Sequence, residues 1–349
     1  MSNIKLIKGD CLEQMKNIPD KSIDMILCDL PYGTTACKWD IIIPFDKLWE
    51  QYNRIIKLDG IICLFGSQPF TSKLICSNID KFRYSLIWEK EQATNRLLCN
   101  IMPMKKHEDI NIFYNDKIEI ISNNSDLMDI REYFLQQLEL SGLKTCKQIN
   151  EVLGMDTNGG GMASHYFGKK IKQWSLPTEN MYKKLQTTGY FKKPYIELKK
   201  EYEKAMSKYK ITYNPQFSKG KEYIVKHNKK EGYDPILGTT IKRTDTINKG
   251  IRYPTSILKF NRDLKNRFHP TQKPVALLEY LIKTYSNEND LVLDNCMGSA
   301  STGIACINTN RNFIGIEKDD KYFDISCDRI NTYIKDNNLE GVNVEIESE

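Results

Sequence analysis

Two short segments at opposite ends of this 349-residue chain carry the residue types that chemistry needs. The first is Asp29-Leu30-Pro31-Tyr32-Gly33, directly after the apolar run 25–28. The second is Asp294-Asn295-Cys296-Met297-Gly298-Ser299-Ala300-Ser301-Thr302-Gly303, directly after Leu291-Val292-Leu293. Each reads as a strand that ends in an acid and opens into a loop. In an open α/β sheet, ligands bind outside the carboxyl ends of the strands. The first loop offers a carboxylate acceptor at Asp29, a turn held by the fixed φ of Pro31, and an aromatic ring at Tyr32. The second is rich in small residues, which let a ligand approach the backbone. A third acid, Glu317, closes Phe313-Ile314-Gly315-Ile316 and stands 23 residues after Asp294. An acid at that place in a nucleotide-binding sheet accepts hydrogen bonds from ribose hydroxyls.

These loops need a sheet to hold them, and the sequence supplies its signals at both ends. Strands are expected at 5–8, 23–28, 61–65, 82–88 and 109–114, with helices at 11–17, 45–57 and 69–77 between them. Residues 25–28 are continuously apolar and Ile23 joins them across Asp24, as suits a strand buried on both faces of a parallel sheet. Near the C-terminus the alternation resumes, with helices at 274–285, 301–308 and 319–334 and strands at 291–293 and 312–316. Beyond residue 337 the chain is acidic and is expected to fray.

The middle differs in composition. Thr145 precedes an amphipathic stretch, 146–153, that ends at Gly154, and Gly159-Gly160-Gly161 leads into a second short helix. This pair suits a helix–turn–helix near 144–172, the second helix bearing Ser164, His165, Lys169 and Lys170. A plain helical subdomain packed as a lid is the alternative. Charge is also uneven. Residues 181–273 hold 23 Lys and Arg against 8 Asp and Glu, whereas the remainder holds 28 against 37. A block this basic marks an anionic partner, so Lys183, Lys184, Lys192 and Lys193 are expected on phosphates, with Arg243 and Arg252 reading bases or positioning the backbone. The ten cysteines form no C-x-x-C pair, which argues against a structural zinc site and for a reducing cytoplasm. No run of about 18 apolar residues is present, so no membrane span is expected.

Together the loops resemble the β-group DNA amino-methyltransferases of the D-P-P-Y type, which methylate an exocyclic nitrogen of a DNA base. Asp29 to Tyr32 is similar to D-P-P-Y with Leu30 in place of the first proline. Asp294 to Gly303 is similar to the cofactor motif D-P-F-x-G-S-G-T-T-G, departing at Asn295, Cys296, Ala300 and Ser301. His269 to Pro274, Gly9-Asp10-Cys11 and His107-Glu108 match further elements. The resemblance covers about residues 1–115 and 255–335.

It implies a Rossmann-like α/β fold: seven strands in the order 3-2-1-4-5-7-6, permuted, with one antiparallel strand and a mainly helical inserted target-recognition region. The expected organisation is a catalytic half at 1–117, the insertion at 118–254, a cofactor half at 255–336 and a tail at 337–349. The implied catalytic residues are Asp29, Leu30, Pro31 and Tyr32. Asp29 and the backbone carbonyl of Leu30 would accept hydrogen bonds from the base amine, and Tyr32 would stack on the extruded base. The implied contacts of S-adenosyl-L-methionine are Asp10, Cys11, Asp29, Thr271, Lys273, Asp294, Cys296, Met297, Gly298, Ser299, Thr302, Glu317 and Lys318, with Thr271 and Lys273 at the methionine carboxylate. An aspartate at the head of the catalytic loop points to N6 of adenine in double-stranded DNA. N4-cytosine methylation, N6-adenine methylation of RNA, and a catalytically silent DNA-binding protein are the alternatives. A homodimer and a cognate restriction endonuclease are the further partners to look for.

Overall fold

Nine strands share one sheet, and all but one run in the same direction. They are β1 (Asn3–Lys8), β2 (Ile23–Cys28), β3 (Ile56–Gly66), β4 (Phe82–Thr94), β5 (Lys105–Phe113), β6 (Ile257–Lys259), β7 (Leu291–Asp294), β8 (Asn312–Glu317) and β9 (Asn343–Glu347). Their spatial order is β9-β1-β8-β7-β2-β3-β5-β4-β6. Only β5 is antiparallel to its neighbours. The computed structural model describes residues 2–35, 37, 40–115, 125–155, 161–167, 174–207, 211–226, 231–234, 239–242, 245–263, 268 and 271–348.

The seven inner strands, β1-β8-β7-β2-β3-β5-β4, stand in the expected order with the expected antiparallel member. Two strands are additions. β6 extends the sheet beside β4. β9 pairs in parallel with β1 from Asn3↔Asn343 to Ile7↔Glu347. The acidic tail is therefore an edge strand and not a frayed end. Glu345 and Glu347 pair with Lys5, and Val344 packs against the core.

Alternation along β2 builds the two faces. Met25 and Leu27 point to one side, among Leu277, Leu281, Ile304, Phe323 and Ile330 of the C-terminal helices. Ile26 and Cys28 point to the other, among Leu48, Tyr52, Ile55, Phe70 and Leu74. Both faces of the sheet are covered, which is why 25–28 reads as an apolar run, with Asp24 near the strand's start pairing with Lys57. β3 begins earlier than the expected 61–65, because Ile56 already pairs with Ile23. The register then slips before Met25↔Ile61, and Asp59-Gly60 sits in that irregularity. Gly60 is needed there, since a Cβ would stand 2.9 Å from the carbonyl oxygen of Asp24.

The middle region has its own core. Helices over Ser125–Leu140, Cys146–Leu153, Gly161–Phe167, Glu179–Gln186 and Tyr195–Ser207 gather around Phe134, whose ring meets Phe167, Tyr182 and Phe191. Among the described residues of 218–252 there is no helix. They form short antiparallel ribbons, such as Tyr223–Val225 with Thr246–Asn248. Among the described residues no helix is long and apolar enough to cross a membrane.

Candidate active site

The parallel registers Met25↔Val292 and Ile26↔Leu293 bring β2 and β7 side by side. Asp29 and Asp294 therefore emerge at the same edge of the sheet. Between them lies a cavity of about 640 Å³, within the usual range for a small-ligand site. Every residue expected in catalysis or cofactor contact lines it: Asp29 to Tyr32, Asp10, Cys11, Thr271, Lys273, Asp294, Cys296 to Ser299, Thr302, Glu317 and Lys318.

The cofactor half is held by its own hydrogen bonds. Asp294 accepts from Thr302 Oγ1 at 2.6 Å and from the Cys296 amide at 3.1 Å. Burial raises its carboxyl to about 6, against the pull of those donors. Glu317 accepts from the amides of Gly298 (2.9 Å) and Asp319 (2.8 Å). Burial raises its pKa although these amides oppose the shift. Asp10 caps the helix that begins at Cys11, accepting from the Leu12 amide at 3.0 Å, and pairs with Lys318 at 3.0 Å. Ala300 takes φ +54°, the left-handed conformation that the related motif gives to glycine. The other departures also find partners. Asn295 Oδ1 accepts from the buried Tyr52 hydroxyl at 2.6 Å, and the Cys296 thiol sits with those of Cys11 and Cys28.

At the catalytic half, both oxygens of Asp29 are engaged. Oδ1 accepts from the Tyr32 hydroxyl at 2.7 Å, and Oδ2 pairs with the Lys273 ammonium. Lys273 is 7% exposed. It also reaches Glu108 Oε2 at 3.3 Å and lies 5.0 Å from the centre of the Phe65 ring. Glu108 in turn pairs with Lys90. Four charges thus alternate along one buried line: Asp29, Lys273, Glu108, Lys90. Burial raises the Asp29 carboxyl, Lys273 opposes that and Glu108 adds to it. For Glu108, burial pushes up but the two ammoniums prevail, and its pKa is lowered.

Lys273 was expected on the methionine carboxylate, and in this structure its ammonium sits on Asp29. Glu108 and Lys90 were not singled out for chemistry, though His107-Glu108 had been noted. Two more positioning residues were missed. Asp40, 7% exposed, accepts from the amides of Gly33, Thr34 and Thr35 and from the Thr35 hydroxyl, at 2.7–2.9 Å. Burial opposes ionisation, yet these donors hold its pKa below the usual carboxylate range. Arg329 donates to the Ser299 carbonyl (2.7 Å) and the Ser301 hydroxyl (2.9 Å), fixing the small-residue loop. Neither has a sequence motif; an isolated acid eight residues after Tyr32 was the only signal for Asp40.

The residues expected on nucleic acid sit on several separate elements. Ser164 is half-buried and His165 exposed on the helix Gly161–Phe167. The preceding helix carries a capping box at Thr145 and Gln148, and Asn150 Oδ1 joins the two helices by accepting from the Ala163 amide at 3.1 Å. Lys184 donates to the Leu153 carbonyl at 2.5 Å, closing the end of that helix. Lys183 pairs with Glu179 and Lys193 with Glu201, contacts that are cheap to exchange at a surface. Lys192 is exposed. Arg252 lies over the Tyr223 ring and donates to Asn248. Lys169, Lys170 and Arg243 lie outside the described residues.

The lining fits a sulfonium-bearing nucleotide. Asp10, Asp29, Glu108, Asp294, Glu317, Asp319 and Asp320 face the cavity against two lysines, Lys273 and Lys318, and that excess of acid complements a cation. Leu27, Phe65, Leu278 and Met297 add apolar wall.

A family model described as DNA methylase matches residues 23–328. Type II methyltransferase M.BglI of Bacillus subtilis is 38% identical over 92 residues, 26% of this chain and 25% of that protein. Type II methyltransferase M.HinfI of Haemophilus influenzae is 23% identical over 331 residues, 93% of this chain and 67% of its own length. The chain thus matches about a quarter of the length of M.BglI. Of solved structures, PvuII DNA methyltransferase (cytosine-N4-specific) aligns at a TM-score of 0.49 with 13% identity, covering 99% of this chain and 95% of that one. The M1.HpyAVI–SAM complex aligns at 0.46 with 19% identity, covering 94% and 99%.

Proposed function

This chain belongs to the DNA methylase family, and from that premise we propose that it methylates N6 of adenine in double-stranded DNA at a specific site. One observation carries the reading: Asp29 to Tyr32 and the Asp294 to Thr302 loop face each other across a single cavity. When bound, S-adenosyl-L-methionine supplies an activated methyl group, so no covalent enzyme intermediate is needed. Glu317 and Asp10 suit its ribose and adenine, and the Met297-Gly298-Ser299 backbone suits its approach.

The residues of the chain then have to position a poor nucleophile. The lone pair of a base amine is delocalised into the ring, and two acceptors facing its N–H groups draw the nitrogen towards tetrahedral geometry. Asp29 supplies one acceptor and the carbonyl of Leu30 the other. Asp29 is already occupied by Tyr32 and Lys273. An arriving amine can share the carboxylate or take the place of Lys273, which has Glu108 3.3 Å away. Lys273 favours the ionised form of Asp29 against burial and against Glu108. Fixed acceptors in a water-poor site are worth more than in solvent. Tyr32 supports the extruded base, with Phe70 behind it at 5.0 Å between ring centres. The base must leave the duplex to arrive, which costs a few kcal/mol. An aspartate at position 29 supports adenine, and the basic stretch 181–273 supports a polyanionic partner.

The test is modification-sensitive long-read sequencing and nucleoside mass spectrometry of host DNA after expression beside Asp29→Ala. Methyl-adenine in one short motif, absent from the variant, is expected. N4-methylcytosine would move the assignment to the other base, and turnover by Asp29→Ala would remove the proposed role of the carboxylate.

A further inference from the structure

Among the described residues, a group of exposed apolar side chains stands at the tip of the hairpin that runs on from Glu108, a residue of the cavity wall. β4 and β5 form a hairpin whose ends reach past the carboxyl edge of the sheet, pairing Trp88↔Glu108, Glu89↔His107 and then Thr94↔Lys105. Glu108 lines the cavity, and the Lys105 ammonium is tied to Ser67 at the end of β3. The hairpin tip is a built turn. Arg96–Leu98 is a 3₁₀ turn, and the amides of Ile101 and Met102 both donate to the Leu98 carbonyl at 2.9 Å. Yet it turns its apolar side chains outward. Leu97 is 99% exposed and Ile101 79%, with Met102 and Met104 about half exposed. From Gln92 to His107 there is no acid, and Arg96, Lys105 and Lys106 flank the apolar residues.

We propose that this tip is a wedge for duplex DNA: Leu97 and Ile101 enter the base stack where the target base leaves it. The inference rests on the reading that the substrate base is extruded from a duplex. Extrusion leaves a gap that water fills badly, and apolar side chains inserted between base steps are a known way of stabilising an unstacked duplex. Duplex DNA is favoured over a second copy of the chain by the tip itself, which from 92 to 107 carries Arg96 and Lys105 and no acid, Lys106 being paired with Glu89 farther down the hairpin, and by its tie to the cavity through Glu108. Its ordered backbone means that little freedom is lost on insertion.

The variant to make is Leu97→Ala/Ile101→Ala, which removes exposed side chains and leaves the melting temperature unchanged. Methylation is measured on two duplexes bearing the motif found by sequencing: one fully paired, one with a mismatch opposite the target base. The wedge predicts at least about a tenfold loss of kcat/KM on the paired duplex and recovery to within about twofold of the unaltered protein on the mismatched one, whose base is already loosened. No loss on the paired duplex, or an equal loss on both, overturns the proposal. An equal loss with a fall in sedimentation mass assigns the tip to contact between copies and overturns it too. Absence of methylation by the unaltered protein defeats the functional reading itself, a result distinct from the other two.

Discussion

Lys273→Met is the most informative single change at this site. It removes the ammonium from between Asp29 and Glu108 and leaves a side chain of similar length against Phe65. Breaking one side of a buried ion pair costs about 3–5 kcal/mol, because the partner stays buried without compensation. Glu108 keeps Lys90 and Asp29 keeps the Tyr32 hydroxyl, so the lower end applies, about 3 kcal/mol at neutral pH. At roughly 2–4 °C per kcal/mol for a large domain, the melting temperature should fall by about 6–12 °C. The pH dependence has a definite sign. Burial and Glu108 already raise the Asp29 carboxyl, and Lys273 is what opposes them. Without it the native pKa climbs further above the unfolded value of about 3.9. A carboxyl raised in the native state destabilises the fold above its native pKa, and the penalty is relieved as pH falls through that value towards the unfolded one. The gap in melting temperature between the unaltered protein and Lys273→Met should therefore narrow from pH 8 to pH 5. Calorimetric scans at pH 8, 6.5 and 5 measure this. In parallel, the acid limb of the rate profile should move to higher pH. A gap of less than about 1 kcal/mol, or one that does not change with pH, would refute the reasoning that a buried charge pair organises the catalytic carboxylate.

Two other changes probe the loops. Ala300→Gly relieves a left-handed residue that costs about 1–2 kcal/mol. Glycine's greater freedom in the unfolded chain and one lost buried methyl return part of this, so a gain of roughly 0.5 kcal/mol is expected; a loss above about 1 kcal/mol in chemical denaturation would contradict it. Asp40→Ala removes the acceptor of four hydrogen bonds that shape residues 33–35. Turnover should fall by about a hundredfold through misplacement of the catalytic turn, while donor affinity measured by titration calorimetry stays within about threefold. A matching loss of donor affinity would place Asp40 in the cofactor site instead.

Much of this was legible in the chain. Strands buried on both faces are apolar along most of their length, so 25–28 and 313–316 declare themselves, and the acids that end them mark where the loops open. The edges were not legible. β6 is three residues long, and β9 alternates Val344 and Ile346 with glutamates that make sense only against Lys5. At the site, the motifs located every lining residue expected of them. The connections between them escaped. Lys273 bonds a carboxylate 244 positions away, Arg329 reaches back 28 and 30 residues to the Ser299 loop, and nothing in local spacing encodes either. The ribbons of 218–252 escaped for the opposite reason: their strands are two to four residues long, too short to show a period.

The pairing of β2 with β7 has a consequence for biosynthesis. Residues 25 and 26 meet 292 and 293, so the sheet has no centre until the last quarter of the chain has been made. A ribosome working at about 5–20 residues per second leaves the apolar edge of β2 uncovered for roughly 13–50 s after it emerges. During that interval the helices over 125–207, which contact one another and share a core of their own, can condense first. The nascent protein would then carry a folded helical middle region before the cavity between β2 and β7 exists. Translation itself thus sets the order in which the two cores of this molecule are completed.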